Sequence, residues 1–196
     1  MGKNVLIYLH GENATGCEYD NFKFLNMDMI CPTAPIRGGI NSWILYDNND
    51  NPTDKSINNM TKQIINIIKK YDKKKVFLGG SSQGAALAMH VYGLYCSQYG
   101  ELGGFIGCRS DRLYKDTNVS KITNILSPII FYCGGKDYWD KNDNESITIK
   151  KCQKNYIKFL KRQNSGLNTS LVIISDANHN QMGKIEYNCI KNYFKI

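Results

Sequence analysis

Val76-Phe77-Leu78-Gly79-Gly80-Ser81-Ser82-Gln83-Gly84-Ala85-Ala86-Leu87-Ala88-Met89 decides the fold of this chain. An apolar, strand-like run meets the pentapeptide Gly80-Ser81-Ser82-Gln83-Gly84, and a helix-forming segment begins directly after it. A strand that turns sharply into a helix crowds its own backbone, so small residues are required on both flanks, and Gly80 and Gly84 supply them. Such a turn leaves the Ser82 hydroxyl exposed above a sheet, with the N–H groups of the new helix directed at whatever bonds to it. Read alone, the pentapeptide is also compatible with a glycine-rich turn that merely packs a helix on a strand. The rest of the chain decides between the two.

Working outward, short apolar runs alternate with longer helical patterns, the signature of parallel strands joined by crossover helices. Strands are expected over residues 4–9, 27–31, 75–78, 102–106, 128–133 and 170–174, and helices over 56–71, 83–96, 147–162 and 184–194. In the first helix, Ile57, Met60, Ile64, Ile65, Ile67 and Ile68 form a stripe suited to lie on a sheet. Residues 47–54 crowd Asn, Asp and Pro and read as an exposed loop. Residues 109–124 are polar and are expected at the surface, bordering the site. The 196 residues suit a single domain, 1–196.

Composition excludes several classes. The seven cysteines, at positions 17, 31, 96, 108, 133, 152 and 189, are scattered and lack a C-x-x-C pair, which suggests reduced thiols and a cytoplasmic protein. The first apolar run, Val5 to Leu9, is too short for a signal-peptide core or a membrane span. The formal charge is +8, with lysines at 69, 70, 73, 74 and 75. Without interleaved aromatics or an RNA-binding signature, that run reads as a solvated helix end. No nucleic-acid partner or stable membrane insertion is expected. No cofactor is expected, and no His and Cys cluster has metal-ligand spacing.

A serine hydroxyl needs a base, itself oriented by a carboxylate. Of the three histidines, His10 ends the first strand and is placed to shape a loop, and His90 lies about two turns down the helix that follows Ser82. His179, in a loop after the last strand, stands at the carboxyl edge of the sheet, where ligand sites of open α/β folds form. Asp137 follows the strand-like Phe131-Tyr132-Cys133 and is the expected carboxylate, with Asp140 a fallback and Asp176 a weaker rival. The order Ser82, Asp137, His179 is that of the α/β-hydrolases, each residue following an expected strand. For an oxyanion hole the backbone N–H groups of Gln83 and of Glu12, in the loop after the first strand, are the candidates.

With these residues in place, the chain resembles the acyl-protein thioesterase/carboxylesterase (phospholipase/carboxylesterase) family of α/β-hydrolases over nearly its whole length. The family's Leu-His-Gly loop is matched by Leu9-His10-Gly11, and its Cys-Pro-x-Ala-Pro and Ser-Trp elements by Cys31-Pro32-Thr33-Ala34-Pro35 and Ser42-Trp43. Its nucleophile segment, Gly-Gly-Phe-Ser-Gln-Gly-Gly-Ala-Leu-Ala, is matched by residues 79–88, with Ser81 in place of Phe. The G-x-x-D and late His elements match Gly134 to Asp137 and His179. The resemblance implies a three-layer α-β-α fold with a mostly parallel sheet of about six strands, here lacking extra N-terminal strands. It also implies hydrolysis of esters or thioesters, including fatty acyl groups on protein cysteines, by a monomer or weak homodimer. A small-ester carboxylesterase with a polar or cationic substrate, and a catalytically silent acyl-binding relative, are the alternatives. Trp43 and Arg109 are expected to face substrate, although a large aromatic beside a strand end is as often core packing. Residues 36–41 are fewer than in relatives, which would open the site. Glu12 stands where relatives carry an apolar residue, and an unpaired carboxylate there would disfavour a lipid tail.

Overall fold

A computed structural model describes residues 3–16, 27–48, 52–110, 126–137, 166 and 168–194. Its main sheet is built from the apolar runs read above: β1 (Val5–Leu9), β2 (Asp28–Ile30), β5 (Val76–Ser81), β6 (Gly104–Cys108), β7 (Ile129–Gly134) and β8 (Thr169–Ile174). These six strands lie in the order β2-β1-β5-β6-β7-β8 and every neighbouring pair is parallel. Parallel strands buried on both faces read as continuous apolar runs, which is why β1, β6 and β7 were legible.

The helices divide between the two faces. Along β1 the side chains alternate: Val5, Ile7 and Leu9 join a core with α1 (Asp54–Ile68) and α2 (Gln83–Tyr99), while Leu6 and Tyr8 join a second core with α3 (His179–Tyr193). α1 is amphipathic and buries Ile57, Met60, Ile64, Ile65 and Ile68. α2 is apolar nearly all round, as befits a helix with little exposed surface, and Ala85, Leu87, Ala88 and Val91 are fully buried. The result is a three-layer α-β-α fold with the sheet in the middle.

Several boundaries differ from the sequence expectation. β5 runs on through Ser81, because Gly79, Gly80 and Ser81 pair with Tyr8, Leu9 and Cys108. α3 starts at His179 rather than at 184, on an Asn178 cap. Residues 36–41, expected only as a shortened loop, form a hairpin of β3 (Ile36–Arg37) and β4 (Ile40–Asn41) around Gly38 (φ 58°) and Gly39 (φ 86°). Two successive residues at positive φ are what a tight two-residue hairpin turn requires. The helix expected over 147–162, Asp140 and the segment 111–125 lie outside the described residues.

The lysine run closes a helix end, as its composition suggested. Lys69 sits 4.3 Å from the Tyr99 ring centroid, Lys73 donates to the Tyr99 carbonyl at 2.6 Å and Lys74 pairs with Glu101 at 2.9 Å. One expectation is corrected: Cys31, just after β2, is disulfide-bonded, so the thiols are not all reduced, whereas Cys96, Cys108, Cys133 and Cys189 form no disulfide. Among the described residues no helix is long and apolar enough to cross a membrane.

Candidate active site

The strand order reverses direction between β1 and β5, since the chain leaves β1 toward β2 on one side and returns at β5 on the other. Loops leaving the carboxyl ends of these two strands splay apart and open a crevice, the usual ligand position in an open parallel sheet. Gly11 and Glu12 flank it from β1 and Ser82 from β5; a Cβ placed on Gly11 would stand 3.5 Å from the Ser82 Cβ.

Ser82 itself occupies a strained backbone conformation, φ 51° and ψ −122°, between β5 and α2. The surroundings hold it there. Its N–H donates to the Cys108 carbonyl at 3.0 Å, and its carbonyl accepts from Ala86 at 3.2 Å. A Cβ on Gly84 would meet the carbonyl oxygens of His10 and Leu9 at 2.2 and 2.3 Å, so the approach of α2 to the end of β1 depends on glycine at that position.

Asp137 and His179 arrive from the next two strand ends. The loop after β7 is tied to the end of β8 by Gly135 N–H donating to Ile174 O (2.8 Å) and Lys136 N–H donating to Ala177 O (3.0 Å). Beyond β8, Asn178 caps α3 reciprocally with Gln181: the Asn178 side chain accepts from the Gln181 N–H at 3.0 Å, and the Gln181 side chain accepts from the Asn178 N–H at 2.9 Å. His179 is the first residue inside that cap. Its Nδ1 lies 2.9 Å from Asp137 Oδ1 and its Nε2 3.1 Å from Ser82 Oγ. A carboxylate only accepts, so Nδ1 carries the proton and Nε2 presents its lone pair to the serine hydroxyl. Asp137 is fully buried, Ser82 and His179 are half-buried, and the Asp176 carboxylate instead pairs with Lys136 at 3.2 Å on the surface.

Gln83 does more than its backbone suggested. Its side chain is buried and ties three segments together: Oε1 accepts from Trp43 N–H at 2.7 Å, and Nε2 donates to Glu12 Oε1 at 2.9 Å and to Ser42 Oγ at 3.1 Å. Glu12 is exposed, yet its carboxylate is partnered, which corrects the expectation of an unpaired charge. As the first residue of α2, Gln83 also offers a backbone N–H that has no acceptor within the helix.

His10 shapes the loop, as its position suggested. Its Nδ1 donates to Gly11 O at 2.6 Å, and its Nε2 accepts from Ala34 N–H at 2.9 Å. Burial lowers its pKa from the ordinary 6.5, although the Gly11 carbonyl opposes the shift. Trp43 is only 2% exposed; it stacks on His10 and donates its indole N–H to the His10 carbonyl at 2.8 Å. It therefore braces the loop from behind and presents almost no surface to the crevice, unlike the expectation that it faces substrate. Arg109 lies beside the site but turns inward, toward Ser81, Glu186 and the His179 carbonyl. Glu186 escaped the sequence reading because nothing marks a helical Glu as buried until α3 docks on the sheet.

A parallel sheet with a serine on the sharp turn after a central strand, faced by histidine and aspartate from later strand ends, defines the α/β-hydrolase class. The phospholipase/carboxylesterase family model matches residues 2–184, and the chain belongs to that family. Membership supports ester hydrolysis at the level of the family. Among solved structures, SOBER1 of Arabidopsis thaliana is 20% identical, covering 97% of this chain and 99% of its own, with a TM-score of 0.72. A Bacillus cereus carboxylesterase is 12% identical over 98% of this chain and 89% of its own, with a TM-score of 0.69. Esterase PE8 is 16% identical over 97% of this chain and 93% of its own, with a TM-score of 0.68. At these identities the likeness is one of fold. No curated protein sequence matches the chain.

Proposed function

We propose that the protein is a serine hydrolase that cleaves carboxylic esters or thioesters through an acyl-enzyme, in the manner of acyl-protein thioesterases. The observation that carries this reading is the hydrogen-bonded line from buried Asp137 through His179 to Ser82 Oγ, at 2.9 and 3.1 Å. Ser82 Oγ attacks the substrate carbonyl while His179 Nε2 takes its proton. Asp137 holds the Nδ1–H tautomer and stabilises the imidazolium. The oxyanion is met by the N–H groups of Gln83 and Glu12, each such donor typically worth about 3 kcal/mol in the transition state. His179 then protonates the departing alcohol or thiol, and water, deprotonated by the same imidazole, releases the acid and restores Ser82.

The test is hydrolysis of p-nitrophenyl esters from acetyl to palmitoyl by the native protein and by Ser82→Ala. The variant is expected to lose activity by at least about a thousandfold. Turnover that survives the substitution would overturn the reading. A second reading, a carboxylesterase for small polar or cationic esters, is favoured by the exposed carboxylate of Glu12, fixed beside Ser82 by Gln83. Activity confined to short chains would select it, whereas a maximum at medium or long chains would select the thioesterase-like reading.

A further inference from the structure

Behind the Ser82 turn lies a polar cluster that the reaction just described does not use. Glu186, on α3, is 9% exposed, and its carboxylate gathers three donors. The Tyr8 hydroxyl donates to Oε1, the Ser81 hydroxyl donates to Oε2 at 2.7 Å, and Arg109 Nε lies 3.4 Å from Oε2. Arg109 in turn reaches both sides of the candidate active site. Its Nε donates to Ser81 Oγ at 2.8 Å, and another guanidinium nitrogen donates to the backbone carbonyl of His179 at 3.2 Å.

Three features argue that this arrangement serves more than packing. An ion pair taken out of water is often no more stabilising than apolar residues of the same volume, so stability alone does not account for it. Burial pushes the Glu186 carboxyl upward and the Arg109 charge opposes that shift, so the two groups need each other. Arg109 also sits at φ 40°, the left-handed region, which a non-glycine residue keeps only where its contacts over-determine it. Its backbone N–H donates to the Tyr132 carbonyl at 2.7 Å, and its side chain is held by Ser81, Glu186 and the His179 carbonyl.

We propose that Arg109 is a positioning residue: anchored on Glu186, its guanidinium ties Ser81, the residue that carries the Ser82 backbone, to the carbonyl of His179, and so sets the distance from Nε2 to the serine hydroxyl. A planar fork with several donors makes both contacts at once, which a lysine ammonium on its flexible stem does not. The inference rests on the serine-hydrolase reading above, since it needs His179 to act on Ser82.

The experiment compares the native full chain with Arg109→Lys, Arg109→Ala, Glu186→Gln and Ser82→Ala, using p-nitrophenyl butyrate kinetics and thermal denaturation. Arg109→Lys keeps the charge opposite Glu186 and is expected to lower kcat by about tenfold to a hundredfold, with KM within about twofold, because misplacing a reacting pair slows the chemical step without weakening binding. Millimolar guanidinium, but not ammonium, is expected to restore part of the kcat of Arg109→Ala. Glu186→Gln, which removes the anchor's charge, should lower kcat in the same direction with KM unchanged. Native kcat in a folded Arg109→Lys protein overturns the proposal. So does a loss that appears mainly in KM, which would make Arg109 a substrate contact. If Arg109→Lys fails to fold, Glu186→Gln decides, and native kcat or failure to fold in that variant overturns the proposal too. Activity that persists in Ser82→Ala is a different failure, that of the hydrolase reading itself.

Discussion

Gln83 illustrates how one residue serves two ends. Its backbone N–H opens α2 next to Ser82, while its side chain holds Trp43, Ser42 and Glu12 in place. Gln83→Ala keeps the backbone donor but strands the Trp43 N–H and releases the Glu12 carboxylate, at a cost of about 1–3 kcal/mol for the buried group left unpaired. A lowered melting temperature and a kcat reduced by about tenfold, through loop displacement alone, are the expected results of denaturation and ester kinetics. His10 gives a pH signature. Its pKa is lowered in the folded state, so below about pH 6.5 the unfolded chain binds more protons than the native one, and stability falls as pH drops. Protonation would also remove the Nε2 lone pair that receives Ala34 N–H. Melting temperatures measured from about pH 7 down to pH 5 should fall less steeply in His10→Gln. Buried His90, lowered by desolvation, adds to the slope in the same direction, whereas Glu186, raised by burial, opposes it. Ser82, Asp137 and His179 were legible because each follows an apolar run in a fixed chain order. The Gln83 latch and the Tyr8–Glu186 contact were not, since the first joins residues 71 positions apart and the second residues 178 positions apart, and only the closed fold brings them together.

At the level of elements, the start of α3 carries the greatest consequence. The Asn178 and Gln181 cap fixes where the helix begins and hence where His179 points. Asn178→Ala should cost about 1 kcal/mol, seen as a melting shift of about 2–4 °C, whereas Asn178→Asp, which keeps the accepting oxygen, should cost much less. A lowered kcat in the alanine variant while it is still folded is also expected, because the helix frays at His179, the residue proposed to act as the base. The Asn-x-x-Gln capping signal at residues 178–181 precedes the expected helix start at 184, and it sets the true start at His179. β5 likewise outruns the expected end at Leu78: the apolar run stops where small residues begin, yet backbone pairing with β1 and β6 continues through Gly79, Gly80 and Ser81. The β3–β4 hairpin escaped for a different reason. Its strands are only two residues long and depend on the Gly38-Gly39 turn rather than on any apolar pattern.

Across the whole molecule, the sheet separates two chemistries. Candidate site residues hang from the carboxyl edge, while the lysine run sits where β5 begins, about 20 Å away along six residues of strand. Replacing Lys69, Lys73 and Lys74 together by Gln is therefore expected to leave kcat and KM for neutral esters within about twofold. The same variant should melt a few degrees lower, since the contacts to Tyr99 and Glu101 are surface interactions of about 0–1 kcal/mol each. The hairpin's base is closed by Ser42 N–H donating to Pro35 O at 3.1 Å and tied to the loop after β1 by Asn13 N–H donating to Asn41 O at 2.8 Å. At its tip, a Cβ on Gly38 or Gly39 would meet nothing within 4 Å. Foreign loops grafted at that tip would face solvent and leave the base bonds intact. The hairpin is thus a docking port for engineering, where new recognition surfaces could be attached while the candidate site keeps its scaffold.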